Sequence, residues 1–239
     1  AGLKPKVVVL TSTIRALKYH GGADLNALTV PNTDALTKGL PNLEKHLENI
    51  SKFNLVPVIA INKFDSDTED EIAVIKNFAA SKGIRVALAE VWAKGGEGAE
   101  ELANEVINAI ESNQSNFKAL YSWESDITDK IETISTEIYG AKKVEYTMKA
   151  KYQLKKIIKL GLNHLPICMA KTQKSLSDNP KLLGSPKHFT ITIREIEIAA
   201  GAGFIIPISG NIMRMPGLPA HPASEGIDVT EEGEITGLF

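Results

Sequence analysis

Short apolar runs alternate with longer stretches in which apolar residues recur every three or four positions. In the first half the runs are Val7-Val8-Val9-Leu10, Val56-Pro57-Val58-Ile59-Ala60-Ile61 and Val86-Ala87-Leu88-Ala89. Unbroken β-branched runs of this length predict strands covered on both faces, as in parallel sheets. Between and after them the period changes. Residues 11–20 read as a turn and helix, and residues 41–52 as a helix opened by Pro41 with Leu43, Leu47 and Ile50 on one face. Residues 68–82 read as a helix with a capping box from Thr68 to Glu71, an apolar stripe of Ile72, Ile75, Phe78 and Ala79, and Gly83 as its stop. Residues 98–112 read as a further helix with Leu102, Val106, Ile107 and Ile110 facing the core. Strand and helix in this rhythm predict βαβ units, whose loops at the carboxyl ends of the strands form a common edge for ligands.

The polar residues 113–118 read as a linker, and after them the rhythm differs. Residues 127–139 and 148–160 have helical spacing with Gly140 and Gly161 as stops, and residues 166–170 form a short apolar run. Thr190-Ile191-Thr192-Ile193 begins a stretch that alternates apolar with polar, a strand with one wet face, and residues 203–208 are a last apolar run. The expectation is an α/β protein: a parallel-sheet βαβ region followed by a smaller α+β domain. Residues 217–239, rich in Gly, Pro and acids, read as irregular.

Composition narrows the function classes. The 27 Lys and Arg are balanced by 29 Asp and Glu, so the chain lacks the basic excess of a general nucleic-acid binder. No apolar run approaches the ~20 residues of a membrane span. A single cysteine, Cys168, excludes an internal disulfide and agrees with a reducing, cytoplasmic setting. Cys168 itself reads as a small buried hydrophobe. The first residues enter a strand pattern almost at once, as in a chain that begins inside a longer one.

Four features bear on chemistry. Asn62-Lys63-Phe64-Asp65 follows a predicted strand and has the Asn-Lys-x-Asp pattern with which GTPases read guanine. No G-x-x-x-x-G-K-[ST] phosphate loop accompanies it, and the alternative is a turn in which Asn62 and Asp65 bond to backbone. Trp92-Ala93-Lys94-Gly95-Gly96 follows another strand; it offers either a stacking face with a backbone that a ligand can approach, or a core Trp and a flexible turn. Phe64 sits at the end of the preceding strand, so if the two strands are neighbours its ring and that of Trp92 share one edge. Lys171-Thr172-Gln173-Lys174-Ser175 reads as an anion-binding or simply solvated loop, and the histidines show no metal-ligand spacing.

Segments along nearly the whole chain resemble formate–tetrahydrofolate ligase. They include Thr13-Ile14-Arg15-Ala16-Leu17-Lys18, His20-Gly21-Gly22, Asn42-Leu43-Glu44-Lys45-His46, residues 60–64, Asp67-Thr68-Glu69, the Trp92 loop and Lys130-Ile131-Glu132-Thr133-Ile134. They continue with Pro166-Ile167-Cys168, Gly201-Ala202-Gly203-Phe204, residues 215–219 and the closing Gly237-Leu238-Phe239. The resemblance implies an ATP-dependent ligase of one-carbon metabolism that makes 10-formyltetrahydrofolate through formyl phosphate. It implies a folate pocket in which Phe64 and Trp92 sandwich the pterin, Leu88 lines it and Asp65 stands where the family usually has proline. Asn62, Lys94, Gly95 and Gly96 would lie near nucleotide or phosphate; no catalytic residue is assigned. On this resemblance ATP, Mg2+ and a monovalent cation would come with a missing N-terminal, phosphate-loop-bearing part as partner. The resemblance also implies a homo-oligomer, a homotetramer. On this basis residues 1–45 would end a large nucleotide-binding domain, residues 46–118 would form the folate-side domain and residues 119–239 a C-terminal α+β domain. The alternative is a non-catalytic folate-binding or assembly module.

Overall fold

The computed structural model describes residues 3–212 and 220–237. Strand β1 (Val7–Ser12) leads through Thr13, whose hydroxyl accepts from Ala16 N, into helix α1 (Ile14–His20). Helix α2 (Thr33–Ser51) returns the chain to β2 (Val56–Asn62), and α3 (Glu69–Ser81) returns it to β3 (Arg85–Ala89). The three strands are parallel in the order β1-β2-β3. The short α4 (Val91–Lys94) and then α5 (Glu100–Glu111) complete this half. Ile59 and Ile61 of β2 pack with Ile14, Leu36, Leu43, Ile72 and Ile75 in one core. Alternation sends Val58 and Ala60, equally buried, to the other face of the sheet, where α5 packs.

The capping box forms as expected: Glu71 N bonds to the Thr68 hydroxyl and Thr68 N to the Glu71 carboxylate. Glu71 also pairs with Lys18 of α1 at 2.8 Å, both side chains fully buried. Burial works to raise the Glu71 carboxyl, but hydrogen bonds from Lys18, Asn32 N and Thr68 N hold it below the usual range. Removing one partner of such a pair leaves an uncompensated buried charge, so this cap also locks α1 to α3.

Three expectations in this half are corrected. The second helix starts at Thr33, not at Pro41, which lies inside it. Asn32 supplies the cap, its side chain accepting from Ala35 N, and so the helix precedes the proline by two turns. The run in β1 is not covered on both faces: among the described residues β1 pairs on one side only, and Val9, on the α5 side of the sheet, is exposed. On α5 the buried residue is Ala109, while Ile107 and Ile110 face solvent. The small Ala109 lets the helix approach the sheet, and Glu101 and Glu105 engage Leu88 N and Arg85 on that same side.

In the second half, α6 (Ile127–Thr133) runs into a π turn (Ile134–Ile138), which ends at Gly140 with φ +79°. Strand β4 (Lys143–Tyr146), α7 (Met148–Lys159), β5 (Thr190–Ala199) and β6 (Phe204–Ser209) follow. The sheet order is β4-β5-β6, with a parallel first pair and an antiparallel second, giving the α+β character expected. Residues 166–170 make two parallel bridges to β6 rather than a strand. Ile205 N and Ser209 N reach the Pro166 and Ala170 carbonyls, but Pro207 has no N–H for the carbonyl of Cys168 between them. Cys168 is exposed, not buried. Beneath this sheet Lys130, fully buried, donates to the carbonyls of Trp123, Asn163 and Leu165, a substitute for a counter-ion that ties two loops to α6. The tail is not wholly irregular: β7 (Asp228–Val229) and β8 (Ile235–Thr236) form a hairpin. Residues 215–219 and the final Leu238-Phe239 lie outside the described residues.

Residues 113–118 are pinned to the first half. Asn116 N and Lys118 N donate to the Asn54 and Phe53 carbonyls, and Phe117 stacks on Phe53 with centroids 6.3 Å apart. The halves also meet where Asn42 and His20 bind the backbone of Gly184 and where Lys45 and Lys52 reach Glu137. The expected division at residue 45 falls inside α2.

Candidate functional site

The carboxyl ends of β1, β2 and β3 lie side by side, because the strands are parallel and in register from Val7 with Val56 and from Val58 with Arg85. A cleft of about 570 Å³ opens along this edge, lined by Arg15, Asn62, Lys63, Phe64, Asp65, Asp67, Glu90, Trp92 and Ala93. The structure therefore brings Asn62, Phe64 and Asp65, from the end of β2 and its turn, to one opening with Trp92, from the turn after β3. Leu88 is not in the lining; its side chain packs on the core under the sheet. Lys94, Gly95 and Gly96 also stand outside the lining.

Local chemistry sets these positions. After β2 the chain turns sharply because the Asp67 carboxylate accepts from Phe64 N at 2.9 Å while Asp67 N donates to the Phe64 carbonyl. The turn is thus built by Asp67, not by Asn62 and Asp65, for which the described residues show no such bond. The Phe64 ring, 36% exposed, carries the Arg15 guanidinium 4.1 Å from its centroid. After β3, Glu90 N donates to the Gly98 carbonyl at 2.9 Å and closes the loop on itself. A Cβ at Gly98 would lie 2.5 Å from the Glu90 carbonyl, so that closure requires glycine. The closed loop holds Trp92 outward at 89% exposure, contrary to a core Trp.

The charges in the cleft are mixed. Lys63 lies 3.5 Å from Glu90, which also pairs with Lys94 at 2.7 Å. The bond from Lys94, reinforced by the charge of Lys63, holds the Glu90 carboxyl below its usual range, and Glu90 in turn raises Lys94. Two buried polar atoms of the lining residues have no partner among the described residues: Oδ1 of Asp67 and Nε of Arg15. Arg15 and Asp67 both fall in the segments that carry the family resemblance, but nothing in their local pattern marked them as cleft residues. They come together only when α1 folds beside the β2 turn.

A cleft at the carboxyl edge of a parallel sheet, flanked by a Phe and an outward-facing Trp, defines an α/β protein with a candidate ligand site at its strand ends. The model of the formate–tetrahydrofolate ligase family matches residues 1–239, the whole chain, and the chain belongs to that family. The family is one of folate-dependent ligases of one-carbon metabolism that use ATP and tetrahydrofolate. Among the described residues, no helix is long and apolar enough to cross a membrane, and no group of His, Cys, Asp or Glu is arranged to hold a metal ion.

Proposed function

We propose that this chain supplies the folate-binding side of a formate–tetrahydrofolate ligase. The observation that carries the reading is the single cleft shared by Phe64 and Trp92. A pterin is flat and bicyclic, and stacking of such a ring on an aromatic side chain is worth roughly 1–3 kcal/mol. The Arg15 guanidinium carbon lies 4.1 Å from the Phe64 centroid, and the ring is 36% exposed at the cleft. Asp67 Oδ1 and Arg15 Nε offer an acceptor and a donor without partners, matching the N–H and carbonyl groups along a pterin edge. Asp65 adds a carboxylate at the mouth, and Leu88 supports the strand from below.

In this reading the folate nitrogen attacks the carbonyl carbon of formyl phosphate, the C–N bond forms, phosphate departs and the nitrogen loses its proton. The residues of this chain bind and orient the folate for that attack. ATP, Mg2+ and the phosphate loop are assigned to a separate N-terminal part, because this sequence holds no G-x-x-x-x-G-K-[ST] run. No phosphate-transfer step is routed through its residues. The same reading extends to a monovalent cation, to a homo-oligomer and to the cytoplasm.

The experiment is reconstitution. The chain is mixed with a separately expressed phosphate-loop part, and 10-formyltetrahydrofolate is measured with ATP, formate and tetrahydrofolate present. The expected result is folate binding by this chain alone, no product from it alone, and product from the mixture. Folate binding without rescue would favour a non-catalytic folate or assembly module. Product from the isolated chain, or no folate binding at all, would reject the proposal.

A further inference from the structure

A second cavity lies away from the strand-end cleft, where the two halves of the molecule meet. It has a volume of about 280 Å³, and its lining includes His20, Asn42, His46, Tyr139, Lys171 and Gln173 but no Asp or Glu. Each basic group reaches it from a different place. His20 ends α1, His46 follows Asn42 by one turn on α2, and Lys171 comes from the loop after the bridged segment 166–170. Nothing in their spacing along the chain groups them; only the docking of the halves does.

The hydrogen bonds leave donors facing no acceptor. His20 Nδ1 accepts from Gly184 N at 3.1 Å, which places the ring proton on Nε2. The His46 ring makes no hydrogen bond among the described residues. Lys171 Nζ donates to the Thr172 carbonyl at 2.9 Å and to the Ser175 carbonyl, leaving the third of its N–H groups. Its charge is stacked on Tyr139 at 4.8 Å and has no ion-pair partner among the described residues. Burial brings the Lys171 pKa down to about 8, with Asp178 acting weakly in the other direction. Both histidines are also lowered, first by burial and then by their basic neighbours: His46 in the case of His20, Lys171 and Lys45 in the case of His46. A partly buried lysine beside two imidazoles, in a lining without carboxylates, gathers one charge and several hydrogen-bond donors around one opening.

We propose that this cavity binds an oxyanion, a phosphate or carboxylate group, with Lys171 as the charged anchor and His20 Nε2–H and His46 as flanking donors. The site is independent of the strand-end cleft and stands whether or not that cleft takes folate. An anion seated here would bridge α1, α2 and the 171–176 loop and so tie the two halves together.

The test titrates the 239-residue chain with inorganic phosphate and, separately, with glutarate, following heat and the ring proton resonances of the histidines. Saturable binding at millimolar ligand is expected, with the titration of His20 and His46 displaced to higher pH in its presence. His46→Gln, which removes no hydrogen bond within the protein, is expected to weaken binding about tenfold or more, the scale of one lost charge-assisted bond. Lys171→Met should abolish binding, and circular dichroism checks that its loop carbonyls do not unfold the chain when released. Tighter phosphate points to a phosphoryl group as the ligand, and tighter glutarate to an organic carboxylate; either supports the site. Absence of saturable binding for both anions overturns the proposal, and so does binding that His46→Gln leaves unchanged.

Discussion

Trp92 is the most exposed large ring near the cleft, at 89%. It packs on no core, so its removal should leave the fold intact while stripping a stacking surface from the site. Trp92→Ala is therefore expected to weaken tetrahydrofolate binding by roughly 1–3 kcal/mol with an unaltered melting temperature. A variant that binds as tightly as the parent in a calorimetric titration would remove Trp92 from the pocket. Phe64 and Trp92 were recognisable as edge residues because each follows an apolar run that could only be a buried strand. Arg15 and Asp67 were not: Arg15 reaches the cleft beside Ser66, 51 residues away, and Asp67 does so through a turn back to Phe64 that no motif announced. Leu88 lies outside the cleft lining for a simpler reason. Side chains alternate along β3, and residue 88 points to the helices of the core side.

Among the elements, the crossing of α1 and α2 is the tightest. A Cβ at Gly39 would lie 1.9 Å from the Leu17 carbonyl oxygen, and one at Gly21 would lie 1.7 Å from that of Ala35. Both contacts are backbone on backbone and have no flexible side chain to yield. Gly39→Ala, a change that favours an isolated helix, is expected to destabilise the protein by about 1–3 kcal/mol in urea unfolding. Equal or greater stability in the variant would show that the helices separate without cost. This crossing also explains the misplaced start of α2. Pro41 looked like an opening residue, whereas the pairing of Gly39 with α1 and the cap at Asn32 extend the helix ahead of it. Pro207 acts the same way on sheet two: a single missing N–H turns an expected strand at 166–170 into two bridges.

At the scale of the whole molecule, polar groups cross the junction between the halves. Asn42 and His20 both serve Gly184, one taking its carbonyl and the other its N–H. The pKa of His20 is lowered from 6.5, mainly by burial and then by His46, and that of His46 is lowered mainly by burial and then by Lys171 and Lys45. Each imidazole binds a proton less readily folded than unfolded. The resulting stabilisation is complete above pH 6.5 and is lost as pH falls through the lower folded values. His20 should contribute most, because a protonated Nδ1 can no longer accept from Gly184 N. The urea midpoint is expected to fall between about pH 7 and about pH 5, and His20→Gln should flatten part of that slope. A midpoint constant over this range would show that the junction does not sense these protons.

Local pattern sufficed wherever a short stretch settles its own structure. The strands β1, β2 and β3, the Thr68 to Glu71 capping box and the glycine stops at 83, 140 and 161 all depend on neighbours within a turn or a strand. Tertiary packing alone decided what depends on residues far apart in the chain: the buried Lys18–Glu71 pair, Arg15 on Phe64, and His20, His46 and Lys171 around one cavity. Hydrophobic period and hydrogen-bond caps are written locally. Which charges and rings face each other is set by the geometry of closed packing, where one carbonyl in the way of a Cβ moves a whole helix.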